Sequence, residues 1–283
     1  MPHFSQRLPI SVATGSFWPE GTLRSLDLLN KIGITDCELN LQADEFRLHF
    51  DRSFDIPILL DLINRVEAGR AAVHSVHAPN MDTGNGYSLR SRLDYLVQTM
   101  DVAASLEAEV IDIHPHHMFG THEGAEAYLR GETRLADALL PGFQDLLDHA
   151  QEMGLIIALE NIKMWEDDER DFFNHPASLG RLTKEISHPA FGITLDVVHA
   201  QCCGWVFDML SGLSDQIVNL HLADFAPVME RLPMGEGSIA WGEVAPLFER
   251  LYRLRCITLE LTRASTQDVS QSVRFVQDLL QDY

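Results

Sequence analysis

Eight apolar runs of strand length, each closed by a turn signal and separated from the next by a segment of helical period, constrain this chain more than any other feature. They are Leu8–Ala13, Thr35–Leu41, Ala72–His77, Glu109–His114, Leu155–Glu160, Phe191–Asp196, Ile217–Leu222 and Cys256–Leu261. Between them, apolar residues recur at i, i+3 and i+4 spacing, as Leu23, Leu26, Leu29 and Ile32 do before Gly33. The pattern predicts helices over Thr22–Ile32, Ile56–Ala68, Ser88–Ser105, Tyr128–Met153, Pro176–Ile186, Trp205–Leu210, Gly242–Tyr252 and Asp268–Leu280. Pro141 either breaks the fourth of these or marks a second start. Strict alternation of strand and helix over 283 residues predicts the α/β class, as a single (β/α)8 barrel occupying residues 1–283 as one domain. A doubly wound open sheet is the alternative. It is disfavoured because no glycine-rich phosphate loop follows the first strand.

Barrels of this kind carry their chemistry where the strands end, and here those ends are ionisable. Glu38, His77, His114, Glu160, Asp196, His221 and Glu260 all fall at or near them. Buried unpaired charge is too costly to serve as core filler. Each residue also has a plainer reading: a strand-end histidine can be a hydrogen-bonded core residue, and Asp196 can cap a following helix. Glu38, inside its run, is either a barrel-floor ion-pair residue or a site residue. Taken jointly, Glu160, Asp196, His221 and Glu260 supply three carboxylates and one imidazole from four successive strands. That donor set suits one divalent metal ion, Mn²⁺, Mg²⁺ or Zn²⁺. His77 and His114, with Glu160 as a bridge, offer a second metal site or hydrogen bonds to substrate. His199, three residues past Asp196, points to the same mouth. His116 and His117 read as loop residues, and the acidic stretch Met164–Phe173 as an enlarged loop that could act as a lid. Phe17 and Trp18, just past the first run, either pack on a substrate or on the barrel rim.

With these residues in place, the chain resembles the xylose-isomerase-like TIM barrels, a superfamily that includes endonuclease IV-like proteins and sugar phosphate isomerases and epimerases. The resembling pieces are HAP (His77–Pro79), IHP (Ile113–Pro115), LEN (Leu159–Asn161), LDVVHA (Leu195–Ala200), HLAD (His221–Asp224), GEG (Gly235–Gly237) and LEL (Leu259–Leu261). They span nearly the whole chain in order. The resemblance implies that Glu160, Asp196, His221 and Glu260 are the shared metal ligands. It implies that His77 and His114 match two histidines that bind another zinc in endonuclease IV. By the same resemblance, His199 matches a third-zinc ligand of the nuclease and a substrate contact of the ketose epimerases. The nuclease pattern carries Asp-x-His before its GEG-like segment; here those positions hold Met229 and Arg231, so the three-metal phosphodiester mechanism loses its support. Epimerases of the family carry an arginine soon after the seventh-strand histidine, and Arg231 replaces it from further along. Glu166 lies where they place a substrate-contacting glutamate.

The expected function is therefore a metal-dependent isomerase or epimerase of a small sugar or related polyhydroxy carbonyl compound. It would work by proton transfer through a metal-stabilised enediolate, with Glu160 and Glu260 as catalytic acceptor and donor. His199, Glu166, Trp18 and Arg231 are the expected substrate contacts. The same site would also serve a dehydratase or lyase. The alternative is an endonuclease IV-like metal-dependent phosphodiester hydrolase, and a non-catalytic sugar- or metal-binding barrel ranks last. A formal charge of −21 argues against a nucleic-acid partner. No apolar stretch approaches the roughly 18–20 residues of a membrane span, and the first residues lack a signal-peptide pattern, so a cytoplasmic location is expected. The four cysteines form no CxxC pair and read as reduced thiols. The sequence leaves a homo-oligomer open.

Overall fold

A computed structural model describes residues 8–41, 56–79, 89–162, 172–227 and 229–281. Its strands are β1 (Ile10–Ala13), β2 (Asp36–Asn40), β3 (Ala72–His77), β4 (Val110–Ile113), β5 (Ile156–Glu160), β6 (Phe191–Asp196), β7 (Ile217–Leu222), β8 (Asp224–Ala226), β9 (Met229–Leu232) and β10 (Cys256–Leu259). Eight of them close into a parallel barrel in the order β1-β10-β7-β6-β5-β4-β3-β2, a (β/α)8 TIM barrel. Closure is made by β1 against β10, with Ile10 opposite Ile257, Ser11 opposite Thr258 and Val12 opposite Leu259. β8 and β9 stand outside the barrel as an antiparallel hairpin.

The helices are α1 (Thr22–Lys31), α2 (Ile56–Glu67), α3 (Leu89–Ser105), α4 (Pro115–Met118), α5 (His122–Leu129), α6 (Leu135–Ala138), α7 (Phe143–Glu152), α8 (Pro176–Ile186), α9 (Val197–Cys202), α10 (Val206–Gly212), α11 (Trp241–Val244) and α12 (Thr266–Gln281). Each long helix lays an apolar stripe on the barrel wall. Leu26 and Leu29 of α1, Leu179 and Leu182 of α8, and Val269 and Val276 of α12 are buried in one core cluster. Burial of such side chains contributes about 1.5–3 kcal/mol each. The helix-to-strand turns need left-handed backbone at Gly33 (φ +78°) and Gly154 (φ +75°), which glycine adopts without steric cost.

Two predicted helices are corrected. The single helix expected over Tyr128–Met153 is three pieces, α5, α6 and α7. Gly131 (φ +75°) ends the first and Gly142 (φ +90°) precedes the last, so Pro141 lies just before a new start. Gly242–Tyr252 is the short α11 followed by a 3₁₀ turn at Ala245–Arg250.

The barrel interior differs from the branched apolar layers usual in such barrels. Beneath the mouth it is polar and hydrogen-bonded. Ser75 Oγ donates to Glu38 Oε2 at 2.6 Å, Asn219 Nδ2 reaches both Glu38 (3.4 Å) and Asp112 (3.3 Å), and Thr194 Oγ1 donates to Asp112 Oδ1. Inward-facing polar residues of β2, β3, β4, β6 and β7 produce this layer, and their mutual pairing keeps it tolerable in a buried interior.

Candidate active site

The strand ends bring the expected donors together. Glu160 ends β5, Asp196 ends β6, His221 lies in β7, and Glu260 follows β10 directly. One ligand atom from each of these four lies within 4.8 Å of the others, and the same holds for His77, His114 and Glu160. Glu160 joins the two groups. Its Oε2 lies 3.2 Å from Nε2 of both His77 and His114, and its Oε1 lies 3.8 Å from His221 Nδ1. Burial alone would raise the Glu160 pKa, but the hydrogen bonds from His114 and His77 and the nearby His221 ring outweigh it and hold the carboxyl well below its usual range. His77 shows the converse. Burial would lower it, yet the Glu160 hydrogen bond and charge push it up to about 9. For His114 burial wins, and its pKa is lowered.

His221 is set from below. Its Nε2 lies 3.1 Å from Glu38 Oε2, while Nδ1 lies 3.0 Å from Glu260 Oε2. Burial opposes the imidazolium, but the Glu38 charge and the surrounding carboxylates raise the His221 pKa well above the usual value. Glu38 is thus a floor residue whose bond orients the ring, with Nδ1 turned to the mouth. Asp112 shares that floor, and burial together with the Glu38 charge pushes its carboxyl up to about 8.

Asp196 divides its two oxygens. Oδ1 accepts the His199 backbone N–H at 2.7 Å, which caps α9. Oδ2 lies 2.7 Å from Arg231 Nη2. Asp196 thus caps α9 with one oxygen and turns the other to the cluster at the mouth. Asn161 braces the same corner: its Oδ1 accepts the Asp196 N–H at 2.7 Å, its Nδ2 donates to Asp196 O at 3.0 Å, and its carbonyl accepts from His199 Nδ1 at 2.8 Å. That bond places the donor proton of His199 on Nδ1 and leaves Nε2 as an acceptor, 3.3 Å from Arg231 Nη2.

Arg231 reaches the cluster from β9 in the hairpin. Its Nη1 donates to Glu260 Oε2 and its Nη2 lies 3.8 Å from Glu160 Oε1. Burial would lower the guanidinium pKa, but the charges of Asp196, Glu260 and Glu160 raise it further. Glu260 responds in turn: burial would raise it, and Arg231 with His221 hold it far below its usual value. The backbone at Arg231 is left-handed (φ +59°). The hairpin is tied down by Asp224, whose carboxylate accepts from Gly235 N (3.0 Å), Ile239 N (3.1 Å) and Trp241 Nε1 (3.1 Å). The Asp of HLAD and the glycines of GEG thus form one joint.

Trp18 is 58% exposed at the rim, under the Arg263 guanidinium at 4.7 Å from its ring centre. Phe17 is buried in the core, which favours the packing reading. Glu166 and most of the acidic loop lie outside the described residues. His117, expected in a loop, is instead fully buried in α4. Its Nδ1 accepts the His114 N–H at 3.0 Å and its Nε2 donates to Pro79 O at 2.8 Å, which props His114. The hairpin, Asn174 and this use of His117 were not read from sequence. Asn174 donates to the His199 carbonyl at 2.6 Å, a contact made only after folding.

The xylose isomerase-like TIM barrel family model matches residues 26–279. The chain belongs to this family. An uncharacterized protein of Methanocaldococcus jannaschii, MJ1311, is 24% identical over 247 residues, 84% of this chain and 78% of that protein. A D-tagatose 3-epimerase-like protein superposes with a TM-score of 0.73 at 18% identity, covering 97% of this chain and 98% of the other. The IolI protein, solved with a bound zinc atom, superposes with a TM-score of 0.67 at 14% identity, covering 98% of this chain and 99% of the other.

The family implies a divalent metal, and the donors fit one. Three carboxylates and one imidazole converge on one point, a hard oxygen-rich set with the His221 ring fixed by Glu38. The surplus negative charge of that set is also what draws Arg231 into it.

Proposed function

We propose that the protein is a divalent-metal-dependent isomerase or epimerase of a small sugar or related polyhydroxy carbonyl compound. The observation that carries this reading is the convergence of Glu160 and Glu260, from β5 and β10, beside His221 at the barrel mouth. Glu160, Asp196, His221 and Glu260 would hold the ion. When bound, it polarises adjacent carbonyl and hydroxyl oxygens and acidifies the C–H between them. Glu160 takes a proton from carbon on one face and Glu260 returns one on the other. Both carboxylates are held ionised, which makes them weak bases that depend on an acidified C–H. His199 Nε2, an acceptor, receives a substrate hydroxyl. The epimerase-like neighbour and the zinc in IolI support this reading.

The test is incubation of a ketose panel with the protein and Mn²⁺ in D₂O. Solvent deuterium should appear at the carbon beside the carbonyl, and Glu160→Gln or Glu260→Gln should slow exchange by about 10²–10⁴-fold. No exchange across the panel would overturn the reading. A second reading, a phosphodiester hydrolase, rests on Glu160 Oε2 lying 3.2 Å from both His77 and His114. Two or more ions per chain together with cleavage of an abasic-site oligonucleotide would favour it.

A further inference from the structure

The Arg231 guanidinium stands among the oxygens that the metal reading needs. It contacts Asp196 Oδ2 at 2.7 Å, hydrogen-bonds Glu260 Oε2, and lies 3.8 Å from Glu160 Oε1. A divalent ion binds such oxygens at about 2.0–2.6 Å. It would need the same lone pairs and much of the same space, and two cations that close repel each other. We propose that Arg231 is a built-in counter-cation that competes with the divalent ion for Asp196 and Glu260, so that metal loading displaces the guanidinium and loosens β9 next to the base of the hairpin. This rests on the reading of the four donors as a metal site.

The hairpin is built for such a movement. β9 is no part of the barrel wall; among the described residues its strand partner is β8, in a two-stranded sheet, and one further backbone bond, from Thr262 N to the Arg231 carbonyl at 3.3 Å, ties it to the segment after β10. Arg231 holds a left-handed conformation (φ +59°) that is costly for a residue with a side chain. Ion pairs to three carboxylates offset that strain, and their loss to a metal would release it. The hairpin base stays fixed through Asp224 and its bonds to Gly235, Ile239 and Trp241. Displacement also removes the donor now 3.3 Å from His199 Nε2, leaving that acceptor open to a substrate hydroxyl. Loading the metal and preparing the substrate contact become one event. By linkage, whatever Arg231 gains from the carboxylates is lost from metal affinity.

The experiment titrates Mn²⁺ into chelator-treated wild type, Arg231→Gln and Arg231→Lys by calorimetry. Hydrogen exchange of the wild type is followed with and without Mn²⁺. Arg231→Gln should bind Mn²⁺ about 10-fold or more tightly than wild type, within the usual range of coupling. Arg231→Lys, which keeps the charge and loses the two-pronged contact, should fall between them. The amides of residues 229–231 should exchange faster when Mn²⁺ is present. Equal affinities in variants that bind the ion would overturn the competition and leave the metal reading standing. No binding of Mn²⁺ or Zn²⁺ by any of the three proteins would overturn the metal reading itself. If Arg231→Gln does not fold, the lysine variant and the wild-type exchange decide, and an exchange pattern unchanged by bound Mn²⁺ overturns the proposal.

Discussion

Asp196 carries a structural bond on one oxygen and a site contact on the other, and substitutions separate the two. Asparagine caps helices as well as aspartate does, so Asp196→Asn keeps the bond to the His199 N–H and loses the charge facing Arg231. Asp196→Ala loses both. We expect both variants to lose Mn²⁺ binding, and the alanine variant to be less stable than the asparagine variant by about 1 kcal/mol in metal-free denaturant melts. Equal stability would remove the cap from the account. At the far end of the barrel wall, Asp36 lies 2.7 Å from His74 Nε2. The His74 hydrogen bond outweighs partial burial and lowers the Asp36 pKa below 3.8. A depressed carboxyl contributes stability above its unfolded pKa and loses it as pH falls through the folded value. The Tm difference between wild type and Asp36→Asn should therefore be largest at neutral pH and vanish in strong acid. The stability difference behind it should stay below about 1 kcal/mol, because the pair is partly exposed and solvent-screened.

The hairpin β8–β9 is the element that sequence patterning did not reveal. Its strands have three and four residues, too short for alternation to register, and no Asn-Gly or Asp-Gly marks its turn. The flanking motifs were visible, and the structure supplies their cause. Asp224 gathers backbone donors from the GEG segment, and Gly237 packs against it so closely that an added Cβ would meet Asp224 Oδ1 and the Phe225 carbonyl. Gly237→Ala should therefore displace the hairpin base. The expected result is a lower Tm and faster amide exchange at residues 224–232, with the barrel strands unaffected. Helix boundaries failed for a related reason. Periodicity ran through Gly131 and Gly142 because the apolar spacing on either side happens to stay in phase, whereas left-handed backbone at both glycines breaks the helix in space. Strand positions were far more legible, and β3, β6 and β7 match the expected bounds residue for residue.

The barrel as a closed object adds constraints that no single strand carries. Val110, Ala158 and Val218, from β4, β5 and β7, meet in a small cluster apart from the main core. Ala158→Leu would push extra carbons into that closed space and should cost about 1–3 kcal/mol, read as a Tm lower by several degrees; an unchanged Tm would mean the interior can relax. Strand–helix alternation, local in sequence, was enough to specify the (β/α)8 class, and the ionisable strand ends were enough to nominate Glu160, Asp196, His221 and Glu260. Those signals survive because strand periodicity and turn chemistry act over a few neighbouring residues. The tasks of the individual atoms depended on closure of the barrel. Glu38 beneath His221, His117 behind His114, and Arg231 between Asp196 and Glu260 are separated by 183, 3 and 35 or 29 positions respectively. For the distant pairs, hydrogen bonds and ion pairs form only once barrel closure brings the segments within about 3 Å. For the near pair, it is the turn of α4 that aims one ring at the other's backbone. Local sequence can name the donors, but which oxygen faces which cation is set by the shape into which the whole chain closes.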